Sequence, residues 1–99
     1  GGILRLKETL VDRVHKVIET EIFSSNVELI EIPIAYNEVI FTEFKERAHF
    51  ISFLYKGFLD SKYPLMNGNK KETDAGYLKW FDTCPDNLLT VHQIYRKYL

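Results

Sequence analysis

Apolar residues recur every three or four positions over residues 3–23, which is the spacing of one face of an α-helix. Wound at about 100° per residue, they form one stripe, and charged residues fall on the opposite side. The stripe consists of Ile3, Leu6, Leu10, Val14 and Val17, widened by Val11, Ile18 and Ile22, and faces away from Arg5, Glu8, Asp12, Lys16 and Glu19. The polar cluster Ser24-Ser25-Asn26 predicts the end of this helix.

Residues 27–36 change to an alternating pattern that predicts a strand. Ile30, Ile32, Ile34 and Tyr36 share one face. Pro33 lacks an N–H, so it favours an edge position or a break in the strand. Because a lone strand leaves backbone groups unpaired, we expect it to pair either with residues 77–81 or with a partner chain.

The pattern over residues 38–59 predicts a long helix that ends near Gly57 and Asp60. A polar loop over residues 61–76 and a last helix beginning at residues 85–87 or at Thr90 follow it. The stripe of the long helix is Phe41, Phe44, Ala48, Ile51, Tyr55 and Phe58, and that of the last helix is Leu88, Val91, Ile94, Tyr95, Tyr98 and Leu99.

These elements predict a helix-rich α+β fold with a short sheet of two strands, or of one strand completed by a partner chain. The 99 residues suit a single small domain over residues 1–99, and 45% apolar content is enough for a core. The chain begins Gly-Gly-Ile without Met, which favours a domain excised from a larger protein.

Charge and cysteine usage narrow the class of protein. A net charge of −1 provides no overall basic field for binding phosphates. The single cysteine, Cys84, excludes a disulfide framework and a cysteine-cluster zinc site, so we expect an intracellular setting, cytoplasmic or nuclear. The longest apolar-rich run, residues 50–59, is too short to cross a bilayer, and we expect no membrane association.

One helical metal-binding pattern needs testing. Glu46 and His49 form a Glu-x-x-His step preceded by Glu43, the kind of step that binds metal in helical bundles. The first helix has a similar set, Asp12, His15 and Glu19. On the helical wheel Glu46 and His49 lie away from the apolar stripe of the long helix, and Asp12 and Glu19 lie opposite that of the first helix. We therefore predict no metal and no cofactor. A metalloprotein using His15 and His49 is the third and weakest interpretation.

No catalytic constellation is present in the sequence. Cys84 and His92 lack a local pattern that would hold them together, and Ser52 falls within the predicted long helix rather than on an exposed turn. The five glycines are scattered and form no phosphate-binding loop. We therefore predict a chain without catalysis of its own, while the activity of a larger parent protein stays open.

A nucleic-acid interpretation is the main alternative. The segment "LLTVHQIYRKYL" has the character of a helix that opens a winged-helix unit. Its polar side contains His92, Gln93, Arg96 and Lys97. The overall charge disfavours this interpretation, and an ordinary amphipathic helix explains the same pattern.

Aromatic residues lead to the preferred prediction. Phe50 and Phe53 lie off the stripe of the predicted long helix, so either that helix is buried on two sides or these rings meet another chain. We predict Phe50 and Phe53 as partner-binding anchors, with Tyr77 and Trp80 as neighbours. The function expected is protein–protein interaction or assembly, with another protein or a second copy of the chain as the partner.

Residues 50–59, "FISFLYKGFL", resemble a phrase that ends a helix in the BTB/POZ family. Upstream "VELIEIPI" is similar to a short strand of that family, and downstream "DNLLTVHQIYRKYL" is similar to its following helix. The opening helix lacks the family's His-x-x-x-Leu-x-x-x-Ser signature, and the loop over residues 61–76 would be an insertion. The resemblance implies an adaptor domain that dimerises and docks other proteins.

Overall fold

A computed structural model describes residues 2–41 and 49–99. Over these residues the order is helix α1 (Leu10–Val17, continued by a π-helical turn, Ile18–Ile22), strands β1 (Glu28–Leu29), β2 (Ala35–Ile40), β3 (His49–Leu54) and β4 (Gly57–Phe58), and a 3-10 helix (Thr90–Tyr98). This confirms a small mixed α+β fold. The expectation of a helix-rich fold is wrong, because much of the segment predicted as the long helix forms strands.

The chain divides into two compact units. The first unit comprises Gly1–Glu31 and Gly57–Trp80, and the second unit comprises Ile32–Lys56 and Phe81–Leu99. Each unit contains one antiparallel pair of strands, β1 with β4 in the first and β2 with β3 in the second. A single domain over residues 1–99 stays a prediction.

Helix α1 of the first unit starts later than its apolar stripe predicts, at Leu10 rather than Ile3. Thr9 Oγ1 accepts from the Asp12 N–H at 3.1 Å, and Asp12 Oδ2 accepts from the Thr9 N–H at 3.1 Å, so a capping box fixes the first turn. Lys7 has a left-handed backbone, with φ of 62°, which breaks the helical path before it. The helix ends at the left-handed Phe23, next to the polar cluster that predicts its end.

The first unit pairs β1 with β4, not with residues 77–81 as one expectation had it. Glu28 lies opposite Phe58, and Leu29 lies opposite Gly57. A Cβ on Gly57 would stand 3.1 Å from Val27 Cγ1, so the close approach of the two strands favours glycine there. The Tyr77 N–H instead donates to the Asp74 carbonyl in a turn, and residues 77–81 form no strand.

The second unit contains the larger correction. Residues 35–40 pair with residues 49–54, from Ala35 opposite Leu54 to Ile40 opposite His49, where the sequence predicts a helix over 38–59. Aromatic and β-branched side chains suit a pleated strand, and a strand pair gives them two faces instead of one helical stripe. The predictions on Glu43, Phe44, Glu46 and Ala48 lie outside the described residues.

The last predicted helix forms from Thr90, but with 3-10 geometry. Three residues per turn replace the 3.6 of the predicted stripe, so the apolar side chains are not all placed on one face. Among the described residues Tyr95 alone is buried, at 6% exposure, while Ile94 and Tyr98 are about half exposed. The Tyr95 hydroxyl contacts the Ser52 hydroxyl, which ties the 3-10 helix to the hairpin of the second unit.

Candidate protein-interaction surface

The β2–β3 hairpin has two chemically different faces. Directly opposed residues of an antiparallel pair project to the same side, so the register assigns every side chain to a face. The covered face contains Ala35, Asn37, Val39, Phe50, Ser52 and Leu54, and the open face contains Tyr36, Glu38, Ile40, His49, Ile51 and Phe53. All covered-face side chains except Phe50 are half-buried, whereas all six on the open face are exposed.

The two predicted anchors, Phe50 and Phe53, lie on opposite faces. They are three residues apart, and an odd separation along a strand reverses the direction of the side chain. Their exposed fractions are almost equal, 41% and 40%, so exposure alone does not separate them. The Phe50 ring lies 5.8 Å from that of Phe41, centroid to centroid, which makes it a packing residue of the covered face. Of these two predicted anchors, Phe53 is the one that lies on the open face.

The open face is mainly apolar, and three of its residues were not predicted as site residues. Tyr36, Ile40 and Ile51 are 76%, 59% and 56% exposed, and Tyr36 lies directly opposite Phe53. The predicted strand ends at Tyr36. Extending its alternation to residue 40 places Tyr36 and Ile40 on one face. Together with Phe53 they form an aromatic and aliphatic surface of the kind that protein partners cover.

A polar pair interrupts this surface. His49 Nε2 lies 2.9 Å from Glu38 Oε2, diagonally across the two strands. Both side chains are exposed, so water screens their attraction and the pair adds little to stability. Its position among apolar groups suits it to fix the orientation of a partner rather than to supply affinity.

The other two predicted neighbours belong to the first unit. Trp80 is 57% exposed, and Tyr77 is half-buried in the turn after Asp74. The open face of the hairpin is built without them, because all its residues lie in the second unit.

The residues of the nucleic-acid alternative make contacts within the second unit. Arg96 Nη2 donates to the carbonyl oxygens of Pro85 and Asp86 at 3.1 and 3.2 Å, and its Nε donates to Gln93 Oε1 at 3.2 Å. Gln93 in turn donates to the Leu88 carbonyl, and Lys97 lies over the ring of Tyr98. His92, Gln93 and Lys97 are exposed on the 3-10 helix, and Arg96 is half-buried. Arg96 acts here as a clamp on the preceding loop.

The histidines of the metal interpretation lie on different elements. His15, on α1, has its Nε2 3.4 Å from Glu31 Oε1, while His49 is on strand β3 rather than on a helix. Within residues 2–41 and 49–99 there is no group of three metal-ligating side chains. Cys84 Sγ donates to the Pro85 carbonyl, and the Ser52 hydroxyl contacts the Tyr95 hydroxyl.

Shifted pKa values occur in two ion pairs of the first unit. The hydrogen bond from Arg13 holds the pKa of Glu8 below its ordinary 4.5, with Nε to Oε1 at 2.7 Å. Lys79, 2.6 Å from Glu72, lowers the pKa of that carboxyl in the same way. In both pairs the hydrogen bond between opposite charges favours the charged form of the carboxyl group.

Within the part of the chain described by the structure, no helix is long and apolar enough to cross a membrane. Comparison of the chain with family models, with curated proteins and with solved structures finds no match.

Proposed function

We propose that this chain is a protein–protein interaction or assembly module without catalysis of its own, and that it binds its partner through the open face of the β2–β3 hairpin. The observation that supports this is the set of four apolar side chains on that face, Tyr36, Ile40, Ile51 and Phe53, which are 40–76% exposed. Contiguous exposed apolar side chains of this kind mark interfaces more often than free surface.

The chemistry of the face suits an aromatic-anchored interface. Burying apolar surface stabilises by about 25 cal/mol per Å², and Tyr and Phe are enriched where interfaces are fully desolvated. Tyr36 and Phe53 are direct cross-strand neighbours and would enter a partner's surface together. The Glu38–His49 pair lies among these apolar side chains, where it would fix the orientation of the partner.

An adaptor role is also what the BTB/POZ resemblance implies, and that resemblance stays a prediction. The phrase that carries it lies in β3 and β4 and the turn between them, not in the helix that the family would have there. The proposal includes an intracellular setting. It is supported by the single cysteine, Cys84, which excludes the disulfide framework common in secreted domains.

Photocrosslinking in cells tests the proposal directly. Replacing Tyr36 with p-benzoylphenylalanine keeps an aromatic ring at the most exposed apolar position of the open face. The matched control is the same replacement at Asn69, an exposed loop residue of the first unit. We expect discrete protein adducts from position 36 and none above background from position 69. Equal yields from the two positions, or no adduct from either, would contradict the proposed function.

A further inference from the structure

We propose that the partner is a second copy of this chain, joined to the first through the outer edge of strand β3 in antiparallel pairing about a two-fold axis at Ser52. This inference rests on the proposed function in taking the second unit as the binding unit, and it names a second copy of the chain as a partner. It places the contact on the edge of the hairpin and leaves the open face as its continuation.

The two edges of the hairpin differ in how well they resist pairing. Among the described residues the sheet contains β2 and β3 alone, so each strand has one edge without a partner strand. The β2 edge has Glu38 in mid-strand and Pro33 just before it, both features that prevent edge-to-edge association. Strand β3 has the sequence HFISFL, with no acidic residue, lysine, arginine or proline. Such an apolar edge pairs readily with another strand.

The sequence of β3 is complementary to itself in one register. With Ser52 opposite Ser52 of the second copy, Ile51 faces Phe53 of that copy and Phe50 faces its Leu54. The arrangement makes each of these apolar pairs twice, and aromatic–aliphatic cross-strand pairs are among the favourable ones. Every pair also keeps its own face, because the paired residues, 51 with 53 and 50 with 54, are separated by an even number of positions along the strand.

Other symmetric registers are poorer. An axis at Ile51 places His49 opposite Phe53 and Phe50 opposite Ser52, which replaces apolar pairs with mixed ones. Pairing through β2 about Glu38 would bring two Glu38 carboxylates face to face, and like charges directly opposed are destabilising. An axis between two residues would place the open face of one copy beside the covered face of the other.

The proposed dimer enlarges both the sheet and the open face. Two hairpins would form one sheet of four strands in the order β2-β3-β3-β2, which removes the exposed β3 edge. Isolated two-stranded hairpins are marginal in water, whereas three or more strands with an apolar face are stable. The open faces of the two copies would become continuous through Ile51 and Phe53, and the two-fold axis closes the contact because both copies use the same edge.

Sedimentation equilibrium of the full chain, combined with directed disulfide formation, tests the proposal. Three variants are made in a Cys84→Ser background: Ile51→Cys, Phe53→Cys and Tyr36→Cys. Directly opposed strand residues have Cβ atoms about 4.5–5.5 Å apart, close to disulfide geometry. We expect a mass twice that of the chain, and a mixed disulfide between Ile51→Cys and Phe53→Cys several-fold above the self-linked product of either variant or of Tyr36→Cys.

The outcomes separate this inference from the proposed function. A dimer that links best through Tyr36→Cys would be a face-to-face pair, which overturns the edge and leaves the open face as the interface. If the native chain sediments as a monomer at every concentration, the proposal that the partner is a second copy is wrong, whatever the variants show. In that case crosslinking at Tyr36 to a different protein still supports the proposed function, and its absence removes that as well.

Discussion

Different kinds of interaction occur within the two units of the chain. The first unit has strands of only two residues, and its order comes from local polar contacts. These are the Thr9–Asp12 capping box, the Glu8–Arg13 and Glu72–Lys79 ion pairs, and two hydrogen bonds between the Asn67 side chain and the Leu78 backbone. The second unit has a hairpin of two six-residue strands, a buried tyrosine and an exposed, mainly apolar face.

The difference indicates where an interaction can occur. Polar groups that bond one another within the first unit have little to gain from a partner, because their hydrogen bonds are already made. The second unit gains from burial of its exposed side chains, each of which loses apolar surface to a partner. We therefore expect the open face of the second unit to carry binding and the polar contacts of the first unit to be indifferent to it.

Tyr95→Ala should have the largest effect. Truncating a buried aromatic side chain costs about 3–5 kcal/mol, and here it also removes the contact with Ser52. Tyr95→Phe keeps the ring and should cost about 1 kcal/mol. Urea unfolding followed through the amide NMR signals of β2 and β3 measures both.

Tyr98→Ala is the matched control for that variant, since Tyr98 lies on the same 3-10 helix and is 46% exposed. Its cost should be under about 1 kcal/mol, as for other exposed positions. Equal costs at Tyr95 and Tyr98 would mean that the buried ring does not hold the second unit together.

Phe50→Ala and Phe53→Ala should separate stability from binding. Phe50 packs on Phe41 at the covered face, so its loss should cost about 1–3 kcal/mol, less than for a fully buried ring. Phe53→Ala should cost under about 1 kcal/mol in the isolated chain but weaken association strongly. Urea unfolding and sedimentation on the same two proteins give the comparison. The reverse assignment would place Phe53 in the packed interior.

Asn67→Ala tests the polar order of the first unit. Its side chain accepts from the Leu78 N–H at 2.6 Å and donates to the Leu78 carbonyl at 2.8 Å, so the variant loses two hydrogen bonds. We expect a loss of about 1–3 kcal/mol, visible through Trp80 fluorescence during urea unfolding, with association unchanged. Asn69→Ala, on the same loop but exposed, should be neutral.

Acid should weaken the first unit slightly through Glu8. The pKa of Glu8 is lowered in the folded chain by Arg13, so its contribution is present above the ordinary value of 4.5 and is lost as the pH falls through the lower folded value. Comparing the pH dependence of unfolding between the native chain and Glu8→Gln isolates Glu8. The other carboxyl groups, including the neighbouring Asp12, are the same in both proteins. A difference that persists unchanged at low pH would show that the carboxylate charge is not responsible. This is the smallest expected effect.

Sequence reasoning located the first helix well but misplaced its beginning. The apolar stripe over residues 3–23 is periodic enough to identify α1 and its π-helical continuation. The stripe cannot show where the helix starts, because Ile3 and Leu6 fit its period without being helical. The Thr9-x-x-Asp12 spacing was the available signal, and it identifies the capping residue by its chemistry.

The hairpin could not be obtained from periodicity. A short apolar run such as Phe50–Leu54 fits a buried helix and a strand equally well. Two runs rich in β-branched and aromatic residues, 35–40 and 49–54, flank a charged stretch, and that composition favours a hairpin. Phe53 as an anchor stays a prediction on the strand, while Phe50 lies on the opposite face. The pairing of β1 with β4 had no signal, since two-residue strands carry no pattern.

Amide hydrogen exchange at increasing protein concentration tests the central claim most directly, because it reads both units in one experiment. If a second copy binds the β3 edge, protection over residues 49–54 should rise with concentration. Protection of the β1–β4 amides, at residues 28–29 and 57–58, should stay constant. Protection of residues 49–54 that is independent of concentration, or a rise confined to the first unit, would contradict the account.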